Sequence, residues 1–137
     1  MPSSAPGTFP DVQAIVRDLL KTRPELSDVY VADAPDVGFD GTQRAVLVSR
    51  MGGAWIDDLH VDQPLIQLEV YGPLKSDAFV LANAARATLL AAIGTRFGTS
   101  TVTDVVEADG PRWLPDYVYA GANRYVCVLR LSVRTDG

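Results

Sequence analysis

Two stretches of this chain alternate between apolar and polar residues, and that period limits its fold more than any other feature. In "PLIQLEVYG", Ile66, Leu68 and Val70 point one way while Gln67, Glu69 and Tyr71 point the other. In "NRYVCVLRLSVRTDG", Tyr125, Cys127, Leu129, Leu131 and Val133 alternate with Arg124, Val126, Val128, Arg130, Ser132 and Arg134. Successive side chains of a strand point to opposite faces, so both stretches read as strands with one face on a core. Polar Arg130, Ser132 and Arg134 set the other face of the last strand's second half against water or a partner.

The core face needs a cover, and two helical patterns supply it. "DVQAIVRDLLKTRP" places Val12, Ile15, Val16, Leu19 and Leu20 at helical spacing, with Asp11 as N-cap and Pro24 as the stop. "SDAFVLANAARATLLAAIG" is longer, with Ser76 placed to cap it and Gly94 to end it. Ala78, Ala82, Ala85, Leu89, Ala92 and Ile93 make its inner face, whose small residues allow close approach to a sheet. Three further strands are expected around Val29 to Val31, in "RAVLVSR" and in "TVTDVVEADGP", with Pro64 marking the start of the third strand in chain order. Residues 33–43 carry Pro, Gly and Asp at turn frequency and form a long loop, and a loop holding Trp113 and Pro115 follows the fourth strand.

The resulting order is α-β-β-β-α-β-β. Strands two and three, and four and five, follow one another with no helix between them, so each pair is expected to be antiparallel. The fold class is α+β: a mainly antiparallel sheet with two helices packed on one face. Residues 1–10, small, polar or proline, read as a flexible arm, and residues 11–137 as a single domain.

At 137 residues the chain can bury a core without staples, and 47% hydrophobic with 21% charged residues is globular composition. No apolar run approaches the roughly 20 residues that span a bilayer, and no basic start with an apolar block suggests a secretory leader. One cysteine excludes an intrachain disulfide and suits a reducing cytoplasm. The net charge of −5 is uneven. Residues 25–62 hold Glu25, Asp28, Asp33, Asp36, Asp40, Asp57, Asp58 and Asp62 against Arg44 and Arg50, while acids and bases balance over residues 63–137. Phosphate-driven binding needs a basic footprint, so this acidic segment would repel nucleic acid.

The stretch "SRMGGAWIDDLH" poses the functional question. Its Gly52-Gly53 pair is not followed by the lysine and helix of a phosphate loop, and "GTRFGTS" follows a helix where a phosphate loop would precede one. In extended chain Asp58, His60 and Asp62 would point the same way and could hold a divalent ion. His60 is the only histidine, however, and solvated acids in a loop are the simpler account. Cys127 sits mid-strand among apolar neighbours, where a thiol is an inert hydrophobe, and a pairing with His60 has little support. Asp57 and Asp58 are adjacent, so in extended chain they point apart. The expectation is no catalytic residue, no cofactor and no metal. What stands out is aromatic material in loops, namely Phe39, Trp55, Trp113, Tyr117 and Tyr119. Folded back, these extend the core; exposed together, they form a protein interface.

The succession of elements resembles a known family. A helix and an extended segment lead to a strand ending in Arg-x-Gly-Gly, "AVLVSRMGG". A polar loop with a late Asp62 follows, then "PLIQLEVYG", the helix "SDAFVLANAARATLLAAI", the stretch "VTDVVEADGPRWLPD" and a closing "NRYVCVLRLSVR". This order, over residues 10 to 134, resembles the tail terminator proteins of long-tailed bacteriophages, especially those of actinobacterial phages. A head-tail connector or neck protein is the near alternative, and a small α+β ligand-binding module the more distant one. The resemblance implies a non-enzymatic virion protein, made in the host cytoplasm, that assembles with itself into a hexameric ring. The ring would cap the tail tube protein, stop its polymerisation and offer a surface to the neck or head-completion protein. DNA would pass through the lumen without specific binding, and no membrane is involved. On this reading Gly52 and Gly53 are a hinge from which the strand leaves the sheet into a flexible loop over residues 52–63. Arg50 just before that loop, Gly52, Gly53, Trp55, Asp57 and Asp58 on it, and Trp113 are the candidate interface residues.

Overall fold

A computed structural model describes residues 10–56, 60–114, 119 and 121–135, with residues 55 and 56 described by backbone alone. The elements in chain order are α1 (Val12–Lys21), a 3-10 turn (Pro24–Leu26), β1 (Tyr30–Ala32), β2 (Ala45–Ile56), β3 (Val61–Gly72), α2 (Lys75–Leu90), β4 (Arg96–Phe97), β5 (Ser100–Trp113) and β6 (Asn123–Thr135). The six strands form one sheet in the order β1-β2-β3-β6-β5-β4. Every neighbouring pair is antiparallel except β1 and β2, which run parallel. The expected α+β class and element order hold, with β4 and the 3-10 turn as small additions.

Both helices lie on one face of the sheet, as the alternation requires. Val12, Ile15, Val16, Leu19 and Leu20 of α1, with Ala78, Leu81, Ala82, Ala85 and Leu89 of α2, pack on Val46, Val48, Ile66, Leu68, Val70, Leu129, Leu131 and Val133. Asp11 caps α1 as expected, its Oδ1 accepting from the Ala14 amide at 3.1 Å. On α2 the expectation fails by two residues. Leu74, not Ser76, is the N-cap, and the Asp77 carboxylate accepts from the Leu74 amide at 3.2 Å. At the other end the helix stops at Leu90, so Ile93 falls beyond it and is exposed, whereas Ala92 is buried.

The sheet departs from the expected strands where glycine and proline suggest stops. β1 is shifted by one residue, and β3 starts at Val61, so Pro64 lies inside the strand. β5 runs through Gly110 and Pro111 to Trp113, which is therefore a strand residue and not a loop residue. β5 tolerates Pro111 because the ladder is irregular there, with register shifts between Glu107 and Asp109 and between Asp109 and Arg112. "GTRFGTS" contains β4, a two-residue strand paired to Ser100 and Thr101.

The 33–43 loop carries the chain from β1 to its parallel neighbour β2. Phe39 stands edge-on to Tyr71 and to Tyr119, with 5.0 Å between ring centroids in each case. Together with Ala45, Leu47 and Ala122 these rings form a second, smaller core on the face away from the helices. It covers one corner of that face, where Val126 is buried too; among the described residues Val106, Arg130 and Arg134 are exposed on the rest.

Candidate assembly interface

The long hairpin of β2 and β3 contains most of the residues singled out in the sequence. Its two strands stay paired from Ala45 with Tyr71 out to Ile56 with Val61, so residues 52–56 do not leave the sheet as the hinge reading expects. The two glycines instead form a bulge, since the register shifts between Arg50 and Gly53. Both have positive φ, +117° at Gly52 and +115° at Gly53, where a side chain is strained. A Cβ at Gly53 would also lie 2.1 Å from the Gln63 carbonyl oxygen and 2.6 Å from the Pro64 Cα. Pro64 pairs opposite this bulge, where the regular ladder is already broken.

Arg50 and Asp62 close the hairpin on the helix side. The guanidinium grips the carboxylate with two bonds, Nη1 to Oδ2 at 2.5 Å and Nη2 to Oδ1 at 2.7 Å. Asp62 has no exposed surface, and the Arg50 side chain is 20% exposed. A buried carboxylate needs such a partner, because desolvation alone disfavours the charge. Asp62 is thus a buried structural anion and not one of the solvated loop acids that the sequence suggests. His60 sits in the turn at φ +52°, and its carbonyl accepts from the Thr135 amide at 3.0 Å. Among the described residues no cluster of His, Cys, Asp and Glu could hold a metal ion. The candidate contacts Asp57 and Asp58, the Trp55 side chain and Tyr117 lie outside what is described.

Trp113 is half-buried on the helix face. Its ring lies 5.4 Å from that of Tyr125, and the Lys75 ammonium sits 4.5 Å from the indole centroid. Cys127 is buried with its thiol pushed up to about 12, first by burial and then by the Glu107 charge. That protonation state is unreactive, as the strand pattern implies. Glu107 itself bonds Arg86 of α2 through both carboxylate oxygens, one of them at 2.9 Å from Nη2.

The open sheet face presents a graded surface. Leu65, Arg130 and Val106 stand side by side across β3, β6 and β5, with Val128 next along β6. Val106 is 50% exposed and Arg130 is exposed. Further along β6, Arg134 is also exposed. Among the described residues neither arginine has an acidic partner, unlike Arg124, which holds Glu69 at 2.6 Å. At the far side of the sheet, beside β1, the 33–43 loop exposes Asp33, Asp36 and Asp40 around Val37, which is 99% exposed. Thr42 holds the Asp40 carboxyl below its ordinary value through its hydroxyl and its amide, so this acid is firmly charged. Sequence reasoning found the acidic segment but not its single apolar tip, because Val37 reads as ordinary loop content.

Two helices on one face of a six-stranded sheet, with the opposite face only partly covered, place the chain among small α+β proteins. Its sequence matches the phage tail termination proteins over residues 8–120, and the chain belongs to that family. The family is one of virion structural proteins and not of enzymes. The fold is also similar to a chain in the virion of a native gene transfer agent particle, with a TM-score of 0.58 at 18% identity, covering 89% of this chain and 93% of that one. No curated protein matches it. Among the described residues no helix is long and apolar enough to cross a membrane.

Proposed function

We propose that this protein is a tail terminator that closes into a ring, with six copies expected, on the last layer of tail tube protein. There it ends polymerisation and presents the surface to which the neck or head-completion protein joins, while DNA passes through the lumen unbound. The match to the phage tail termination family over residues 8–120 carries this reading. Physical features support it. A closed ring buries two different surfaces of each copy, head to tail, and the two lateral ends of this sheet differ, with the acidic 33–43 loop beside β1 at one and the two-residue β4 at the other. The excess of acids suits a pore that must release a polyanion. Within the ring, Trp55, Asp57 and Asp58 at the hairpin end are the proposed contacts to tube or neighbour; Arg50, Gly52 and Gly53 shape that end. Trp113 adds its exposed edge.

Interrupting the gene in its phage tests the reading. The expected particles have tails of uncontrolled length and filled heads that do not join them. Tails of normal length, joined to heads, would refute it.

A further inference from the structure

We propose that copies of this chain join through the acidic, valine-tipped loop of one copy and the arginine-bearing open sheet face of the next. Val37, flanked by Asp33 and Asp36, would seat among Leu65, Val106 and Val128, with the acids over Arg130 and Arg134. The inference rests on the ring reading for its occupant, a second copy, and names the surfaces that reading leaves open.

Three observations point to this pairing. The first is charge: the loop lies in a segment of strong acid excess, its Asp33 paired with Arg17 of α1 at 3.3 Å, whereas the exposed cations Arg130 and Arg134 have no ion-pair partner among the described residues, the lone acid beside them being Asp104 opposite Ser132. The second is apolar matching. A side chain 99% exposed at a loop tip gives nothing to the fold of its own copy, and Val106 at 50% exposure is uncovered on the receiving face. The third is placement. The loop joins β1 to β2 at one lateral end of the sheet, and the receiving residues lie on β3, β6 and β5, across its middle. Donor and acceptor are therefore different surfaces of one molecule, which is what a head-to-tail ring requires and a two-fold dimer does not. Phe39, anchored between Tyr71 and Tyr119, holds the loop base so that the tip is presented with little ordering cost.

Charge reversal in two chains gives the test. One variant carries Asp33→Arg and Asp36→Arg, which gives up the exposed pair of Asp33 with Arg17 but spares the turn that Asp40 makes with Thr42. The other carries Arg130→Glu and Arg134→Glu. All four positions are exposed, and circular dichroism and thermal melts check that each variant folds. Absolute mass is read by light scattering in about 50 mM salt, where exposed charges act over longer distances than at physiological strength. Wild type is expected to assemble, and each variant alone to associate at least about tenfold more weakly, because like charges then face each other. An equimolar mixture of the two variants is expected to assemble again, since alternating copies restore an opposite-charge contact at every joint. Variants that assemble as wild type does, or a mixture that stays apart, would overturn the proposal, as would a wild type monomeric at every concentration. Loss of tube binding in the loop variant with its self-association unchanged would assign the loop to tail tube protein and overturn it too. None of these outcomes touches the gene-interruption result, on which the terminator reading stands or falls separately.

Discussion

Asp62 carries a charge where its carboxylate meets no solvent, and the whole cost of that burial is met by one guanidinium. Arg50→Ala should strand the carboxylate and lower stability by about 3–5 kcal/mol, read as a fall in the urea midpoint. Replacing both partners, as Arg50→Met with Asp62→Leu, should come out near neutral, because the buried charge is then gone along with its partner. A double variant as unstable as the single would show that the pair does more than neutralise itself. Glu107 tests a second pair through pH. Its carboxyl lies below its ordinary 4.5, first because Arg86 donates to it, so folding binds fewer protons there than the unfolded chain does. This contribution is fully present above pH 4.5 and is lost as pH falls through the lower folded value. In Glu107→Gln the melting temperature should fall less steeply with acid below pH 4.5 than in wild type, and equal slopes would remove Glu107 from the acid response.

At the level of elements, glycine and proline meant something other than their usual punctuation. Gly52-Gly53 reads as an exit from the sheet, yet both residues build a bulge that lets β2 continue to Ile56. Gly53→Ala should destabilise strongly, by more than the ~1 kcal/mol of a strained φ, since the added carbon overlaps the Gln63 carbonyl. Gly52→Ala meets nothing within 4 Å and should cost only the φ strain. Comparable melting temperatures for the two would contradict the bulge account. The strands on β3 and β6 were legible because period two admits one reading when half the residues are apolar. The inner face of α2 was less so. Leu74, Phe79, Val80 and Ile93 are exposed apolar residues in or beside a helix whose buried face is half alanine, so hydrophobicity alone does not say which side turns inward. Pro111 hid the second half of β5 for a related reason: nothing in one strand's sequence says that its partner will break register beside the proline.

For the whole molecule, the class, the helix-covered face and the antiparallel pairs follow from residue patterns, whereas the surfaces proposed for assembly depend on which strands end up at the sheet's edge and which in its middle. The order β1-β2-β3-β6-β5-β4 sets the acidic loop at one end and the Arg130 patch on the middle strands, and no local pattern encodes that order. It also explains why Trp55, Asp57 and Asp58, prominent in the sequence, are only part of the proposed contact set. The most direct test of the terminator reading adds purified protein to growing tubes of its cognate tail tube protein and follows tube length by electron microscopy. The account predicts that elongation stops as the protein is added and that ring-shaped density appears at one end of each tube. Tubes that keep growing in excess protein, with bare ends, would contradict it.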